Sequence, residues 1–180
     1  MTQQRKVYVS GKFVSESDAK ISIFDSGLMF GDMIFEMTRT YNGHPFRMND
    51  HLERLYAGLH ITEIDCGMKI DEMEAITLQT IDLNRPCFSK GVDFQIMHNV
   101  SRGPLNLYEP VFPDGIRPTI TISCWPLTRL LANNADSYHI GVHNVITPQR
   151  SVPSRLIDPK IKNRSRIYYQ IAGQQATIAT

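Results

Sequence analysis

The chain is short of several things. Of its 180 residues only three are cysteine, Cys66, Cys87 and Cys124, far apart and without a CxxC pair. That excludes a zinc ribbon and a disulfide framework, and it suits a reducing compartment. No sign of charge dominates: Lys plus Arg is 19, Asp plus Glu is 18, and the net charge is +1. Such a balance argues against a dedicated nucleic-acid or membrane-surface binder. No apolar run approaches the roughly 18 residues a membrane span requires. The opening Met1-Thr2-Gln3-Gln4-Arg5-Lys6 carries no apolar stretch of the signal-peptide kind, so the expected location is the cytoplasm. GxGxxG, GxxxxGK[ST] and HExxH are all missing, which removes the dinucleotide, P-loop and zincin readings. The six histidines, at 44, 51, 60, 98, 139 and 143, form no ligand-spaced cluster with acids, so no metal is expected. What is present is 42% hydrophobic and 21% charged residues, enough apolar surface for a folded core and too much for disorder.

Apolar periodicity predicts the elements. Val7-Tyr8-Val9, the turn Ser10-Gly11-Lys12 and Phe13-Val14 read as a hairpin. Ile21 to Phe24 alternates and predicts a strand that Asp25-Ser26-Gly27 breaks. Ile34 to Tyr41 predicts another strand, and Asn42-Gly43 after it is a strong hairpin signal because both residues tolerate positive φ. Asn49 or Asp50 can cap a helix over His51 to Ile61, with Leu52, Leu55, Tyr56 and Leu59 spaced three and four apart. A second helix is expected over Ile70 to Leu83, with Ile70, Met73, Ile76, Leu78 and Ile81 as its apolar side. Strands are expected at Gly91 to Ser101, Thr119 to Ser123 and Tyr138 to Ile146, and a last helix from Asn163 onward with Ile167, Ile171, Gln174 or Gln175, and Ile178 as its stripe. The pattern is β-rich with inserted helices, so the expected class is α+β. A change of composition near Leu127 places a domain boundary there, giving residues 1–127 and 128–180.

Two segments carry residues suited to chemistry. The first is Phe30-Gly31-Asp32-Met33-Ile34-Phe35-Glu36, followed by Arg39, Asn42-Gly43, Phe46 and His51-Leu52-Glu53-Arg54-Leu55. The second is Ile157-Asp158-Pro159-Lys160-Ile161-Lys162-Asn163-Arg164-Ser165-Arg166, which sets a lysine at the expected root of a helix. A positive field from the helix N-terminus and from Lys160, Arg164 and Arg166 would disfavour protonation of that lysine, as an amine nucleophile requires. A solvated basic face or a phosphate patch accounts for the same spacing.

Together the two segments resemble the class IV (fold type IV) pyridoxal-phosphate enzymes: branched-chain aminotransferases, D-amino-acid aminotransferases and 4-amino-4-deoxychorismate lyases. The resemblance runs from Val7 onward, through FGDxxFE, R-x-Y-N-G and HLERL. It implies a two-domain fold with pyridoxal 5'-phosphate between the domains, and a homodimer. It implies that Lys162 is the Schiff-base lysine, whose amine later shuttles a proton between the substrate Cα and the cofactor C4′. Lys160, two residues earlier, is the rival. It implies that Arg54 contacts the cofactor phosphate, a task suited to a guanidinium fork, and that Phe35 lines the substrate pocket. The implied activity is transfer of an amino group between an amino acid, of branched-chain type, and a 2-oxo acid. A lyase releasing pyruvate from an aminodeoxychorismate-like substrate is the second reading, and an inactive fragment or binding module the third.

The sequence departs from the family pattern in places. It resembles roughly the amino-terminal 60% of such an enzyme by ordinary domain size, with an incomplete second domain. No Asp or Glu follows Asp158, so the carboxylate expected to face the pyridine nitrogen is absent, and this chain alone is expected to show little or no transamination. Arg102-Gly103-Pro104-Leu105-Asn106-Leu107-Tyr108 lacks an Arg-x-His pair, which points away from D-amino acids. Ile167 stands where branched-chain enzymes tend to carry tyrosine, with Tyr168 adjacent.

Overall fold

The computed structural model describes residues 4–178, without the side chains of residues 129 and 130. A six-stranded antiparallel sheet organises the chain: β1 (Lys6–Val9), β2 (Lys12–Ser15), β3 (Met33–Tyr41), β4 (His44–Pro45), β5 (Phe94–Ser101) and β6 (Thr119–Pro126), in the order β2-β1-β6-β5-β3-β4. The helices are α1 (Ser26–Phe30), α2 (Met48–Ile61), α3 (Ile70–Asn84), α4 (Thr128–Ala132), α5 (Ser137–Ile140) and α6 (Ile167–Ile178).

Strand alternation explains the core. Phe94, Ile96, His98 and Val100 of β5 are buried, as are Ile120, Ile122 and Cys124 of β6, and these sides pack beneath α2 and α3. From α2 come Met48, Leu52, Leu55 and Leu59, one apolar stripe. Each leucine buried this way contributes about 1.5–3 kcal/mol of apolar transfer. Gly58 permits the close approach of α2 to β3, because a Cβ there would lie 3.0 Å from Ile34 Cγ2. Asn42 (φ 51°) and Gly43 (φ 76°) make the tight β3–β4 turn as expected.

The buried side of α3 differs from the expected stripe. It presents Met73, Thr77, Thr80, Ile81 and Asn84, while Ile70 and Leu78 are exposed. Polar groups can face the core because each finds a partner. Asn84 Nδ2 donates to Lys6 O at 2.8 Å and accepts from Lys6 N–H at 2.9 Å through Oδ1, tying α3 to β1. Thr77 Oγ1 donates to Met73 O at 2.6 Å and lies 2.8 Å from His98 Nε2.

Four further expectations are corrected. Ile21 to Phe24 is not a strand; Ile23 is 72% exposed, and Asp25 instead caps α1 by accepting from Gly27 N–H at 2.8 Å. Helix α2 begins at Met48, ahead of both expected caps, after Arg47 in the left-handed region, with Arg47 ion-paired to Asp50. Tyr138 to Ile146 forms α5 followed by irregular chain, because alternation makes a strand only where a neighbour pairs with it, and none does so among the described residues. Helix α6 starts at Ile167 rather than Asn163, and none of its described residues is buried. All the fully buried apolar side chains among the described residues lie between Val7 and Leu127.

Candidate active site

The site grows from an edge. β4 pairs with β3 only at Thr40 and Tyr41, leaving the first half of β3 open on that side. The segment before α6 fills part of the gap. Phe35 N–H donates to Lys162 O at 3.0 Å, and Ile34 bridges to Asn163. This pairing keeps Lys162 and Asn163 extended and explains why the helix begins late.

Alternation then sends consecutive residues of β3 to opposite faces. Phe35 points to the face away from α2 and α3. Its ring has Lys162 Nζ 4.3 Å and Arg164 Cζ 4.5 Å from the centroid. Arg164 reaches on to β5, donating from Nε to Asn99 Oδ1 at 3.1 Å and from Nη2 to Met97 Sδ at 2.9 Å.

Glu36 points the other way and is wholly buried. Arg54 grips it from α2 with two bonds, Nε to Oε2 at 2.6 Å and Nη2 to Oε1 at 2.7 Å. His51 Nδ1 lies 3.1 Å from Oε1, and Met37 N–H donates to the same oxygen at 2.8 Å. His51 and Arg54 are three apart, hence on one helix face. Burial alone would push the Glu36 carboxyl up, but the bonds from Arg54, Met37 and His51 outweigh it and hold the group below the usual carboxylate range. Arg54 in turn is held more firmly protonated by its bond to Glu36. One edge of the guanidinium is spent on the carboxylate, and Nη1 makes no hydrogen bond among the described residues. Half of the side chain remains exposed, on the cleft side.

The cleft measures about 960 Å³ and is lined by Phe35, Arg54, Lys160, Lys162, Arg166 and Tyr168, among others. Lys162 is half-buried in it and Lys160 exposed. The Lys162 amine is less basic than an ordinary lysine. Burial is the largest cause; Glu36 works against it, and Arg54, Arg166 and Arg164 add to it. Arg164 and Arg166 thus act as the sequence predicts. The expected helix-terminus field is corrected, since α6 begins five residues beyond Lys162. Lys160 is not among the causes.

The cleft brings together Lys162, Arg54 and Phe35, all three expected from the sequence. Sequence reasoning missed that Glu36 would anchor Arg54, that His51 would join it, and that Asn99 and Met97 would receive Arg164. The i,i+3 spacing of His51 and Arg54 was an available signal. Nothing local marks Asn99 or Met97. Chemically, an amine of lowered basicity beside a guanidinium with one free edge suits a ligand with a carbonyl at one end and an anionic group at the other.

Comparison with known proteins adds a family and a fold. The family described as amino-transferase class IV matches residues 33–179. A protein of Methanocaldococcus jannaschii, provisionally named a branched-chain-amino-acid aminotransferase, is 32% identical over 97% of this chain and 56% of its own length. A D-alanine aminotransferase of Staphylococcus aureus is 35% identical over 44% of this chain and 28% of its own. Among solved structures, the branched-chain aminotransferase of Thermoproteus uzoniensis with norvaline superposes with a TM-score of 0.71 at 21% identity, over 97% of this chain and 57% of that one. The T.th. branched-chain amino acid aminotransferase complexed with N-(5'-phosphopyridoxyl)-L-glutamate gives 0.71 at 17% identity, over 99% and 57%. At those identities the structures speak for the fold alone. The chain spans little more than half the length of these relatives that match it over nearly all its residues.

Proposed function

Since this chain belongs to the class IV aminotransferase family, whose members use pyridoxal phosphate, we propose that it is the lysine-bearing part of an enzyme that moves an amino group between an amino acid and a 2-oxo acid. The observation that carries this reading is the placement of the Lys162 amine, less basic than usual, in one cleft with Arg54 and Phe35. Branched-chain substrates are favoured by the relative matched over 97% of the chain.

The residues present fit the cofactor. Lys162 would hold its aldehyde carbon, and the free edge of Arg54 would take its phosphate. The cofactor supplies, when bound, an aldehyde that condenses with amines and a ring that accepts an electron pair. The chain's own residues do the rest. Burial, with Arg54, Arg166 and Arg164 nearby, makes the Lys162 amine easier to deprotonate than an ordinary lysine, which suits Nζ to act first as nucleophile and then as the base that moves the proton from the substrate Cα. Glu36 fixes the angle of Arg54, and Phe35 excludes water from one side of the amine. Lys160 lines the same cleft but stands in solvent, which favours Lys162 as the reactive group.

The reading also divides the chain after Leu127, which is supported by the confinement of the core to earlier residues. It includes a homodimer, following the family, and a cytoplasmic location, following the three free thiols. Among the described residues no helix is long and apolar enough to cross a membrane.

Borohydride reduction of the purified chain with pyridoxal phosphate, followed by peptide mass mapping, tests the assignment. The phosphopyridoxyl group is expected on Lys162 and absent in Lys162→Ala. Attachment that survives this substitution, or that maps to Lys160, removes the reading.

A further inference from the structure

We infer that Arg164 is a positioning residue for Lys162, fastening the lysine's segment to the open face of the sheet through Asn99 and Met97. The inference rests on the reading of Lys162 as the reactive amine.

Little else holds that segment. Residues 151–160 on one side are exposed, and on the other no described residue of α6 is buried. Lys162 and Asn163 are joined to β3 by a single isolated bridge, which the Phe35 N–H to Lys162 O bond helps to form, and Ile161 packs only partly against the core. A single short pairing of this kind is marginal without side-chain support. Arg164 gives that support. It lies two residues beyond Lys162, at a bend, and both cations meet the Phe35 ring. Its fork then crosses to β5, where Asn99 sits opposite Phe35 in register.

The charge itself is unusual. Arg164 is half-buried and forms no ion pair with a carboxylate among the described residues. It faces a neutral amide oxygen, a thioether and a ring, and the charge that bears on it is another cation, Arg166. That arrangement does nothing for an ion-pair network and something specific for Lys162: it fixes the segment while adding positive potential beside the amine. The charged groups that bear on Lys162 are Glu36 and Arg54 from β3 and α2, and Arg164 and Arg166 from its own segment.

Competitive acetylation of the cofactor-free chain, with the Lys162 peptide quantified by mass across pH, reads the basicity of this one amine. Loss of Arg164 both frees the amine toward water and removes a like charge, so Arg164→Ala is expected to raise the labelling midpoint by about one pH unit. Arg164→Lys keeps the charge but not the two-pronged grip, and is expected to give at least half of that shift. Asn99→Ala alters no charge and lies outside the cleft; a rise of a few tenths of a unit is expected, with the unfolding midpoint nearly unchanged. Borohydride trapping with pyridoxal phosphate should slow in the same order, about tenfold at neutral pH for Arg164→Ala. A wild-type midpoint kept by Arg164→Ala overturns the proposal, as does an Arg164→Lys indistinguishable from wild type, since charge alone would then suffice. Wild-type chain that traps no cofactor on Lys162 sinks the underlying reading instead, and the labelling midpoints still decide whether Arg164 governs that amine.

Discussion

Residues up to Leu127 and the described residues after it are both supplied with aliphatic side chains, yet they use them differently. In the first region Leu52, Ile96 and Ile122 are all but sealed from water, whereas in the second Ile140 is 84% and Ile146 101% exposed. The difference lies in partners rather than composition. The first region has a sheet face and two helices that need each other. The second touches that body chiefly where Ile161 to Arg164 lie along β3. Lys162 belongs to the second region but borrows its order from the first.

The contrast can be broken or sharpened by substitution, beginning with the core. Leu52→Ala, which empties a fully buried site beneath the sheet, is expected to cost about 2–5 kcal/mol in a urea melt. A cost below about 1 kcal/mol would mean that α2 is not packed as described.

Next comes acid. His98 is fully buried, and its pKa is pushed down to about 4 by burial, with Glu36 opposing that and His51 adding to it. The single Thr77 hydroxyl proton is committed to Met73 O, so His98 donates from Nε2, and its Nδ1 has no partner among the described residues. Neutral His98 is therefore the folded form, while the unfolded chain titrates near 6.5. The unfolded state binds the extra proton first, so stability is full above about 6.5 and falls as pH drops toward 4, by about 3 kcal/mol in all. His98→Leu is expected to flatten that limb, and a limb unchanged in the variant would contradict the buried neutral imidazole.

A smaller effect is expected at the junction of the two regions. Glu36 titrates below the usual carboxylate range in the folded chain, so its contribution is present above about pH 4.3 and is lost as pH falls through the folded value. Glu36→Gln is expected to cost about 1–2 kcal/mol at neutral pH, the half-exposed Arg54 limiting the loss. It should also reduce the acid dependence below about pH 4.3. Equal stability of Glu36→Gln and wild type at neutral pH would show the grip on Arg54 to be incidental. The smallest change is expected in the second region, where Ile140→Ala should shift stability by less than about 0.5 kcal/mol. A cost comparable to Leu52→Ala would erase the contrast.

Much of this architecture was legible beforehand where periodicity and burial coincide. The β3–β4 turn followed from Asn42-Gly43, and α2 and α3 from their spacing. Lys162, Arg54 and Phe35 were expected, and one cleft gathers them. The failures share a cause. Ile21 to Phe24 and Tyr138 to Ile146 have the alternation of strands without a strand to pair with, and Leu78 has a helical spacing that α3 turns toward water. Local pattern reports what a segment can do; the neighbour decides whether it does.

By itself the sequence determined the apolar stripe of α2, the alternation that sends Phe35 and Glu36 to opposite faces of one strand, and the pairing of an amine with a guanidinium as the residues to look for. Only the tertiary structure decided that Glu36 would anchor Arg54, that the edge of β3 would hold Lys162 extended, and that Arg164 would reach Asn99. Those contacts join residues 18, 127 and 65 positions apart. Periodicity is a property of a few consecutive residues and carries no information about which distant side chain the folded backbone will set opposite.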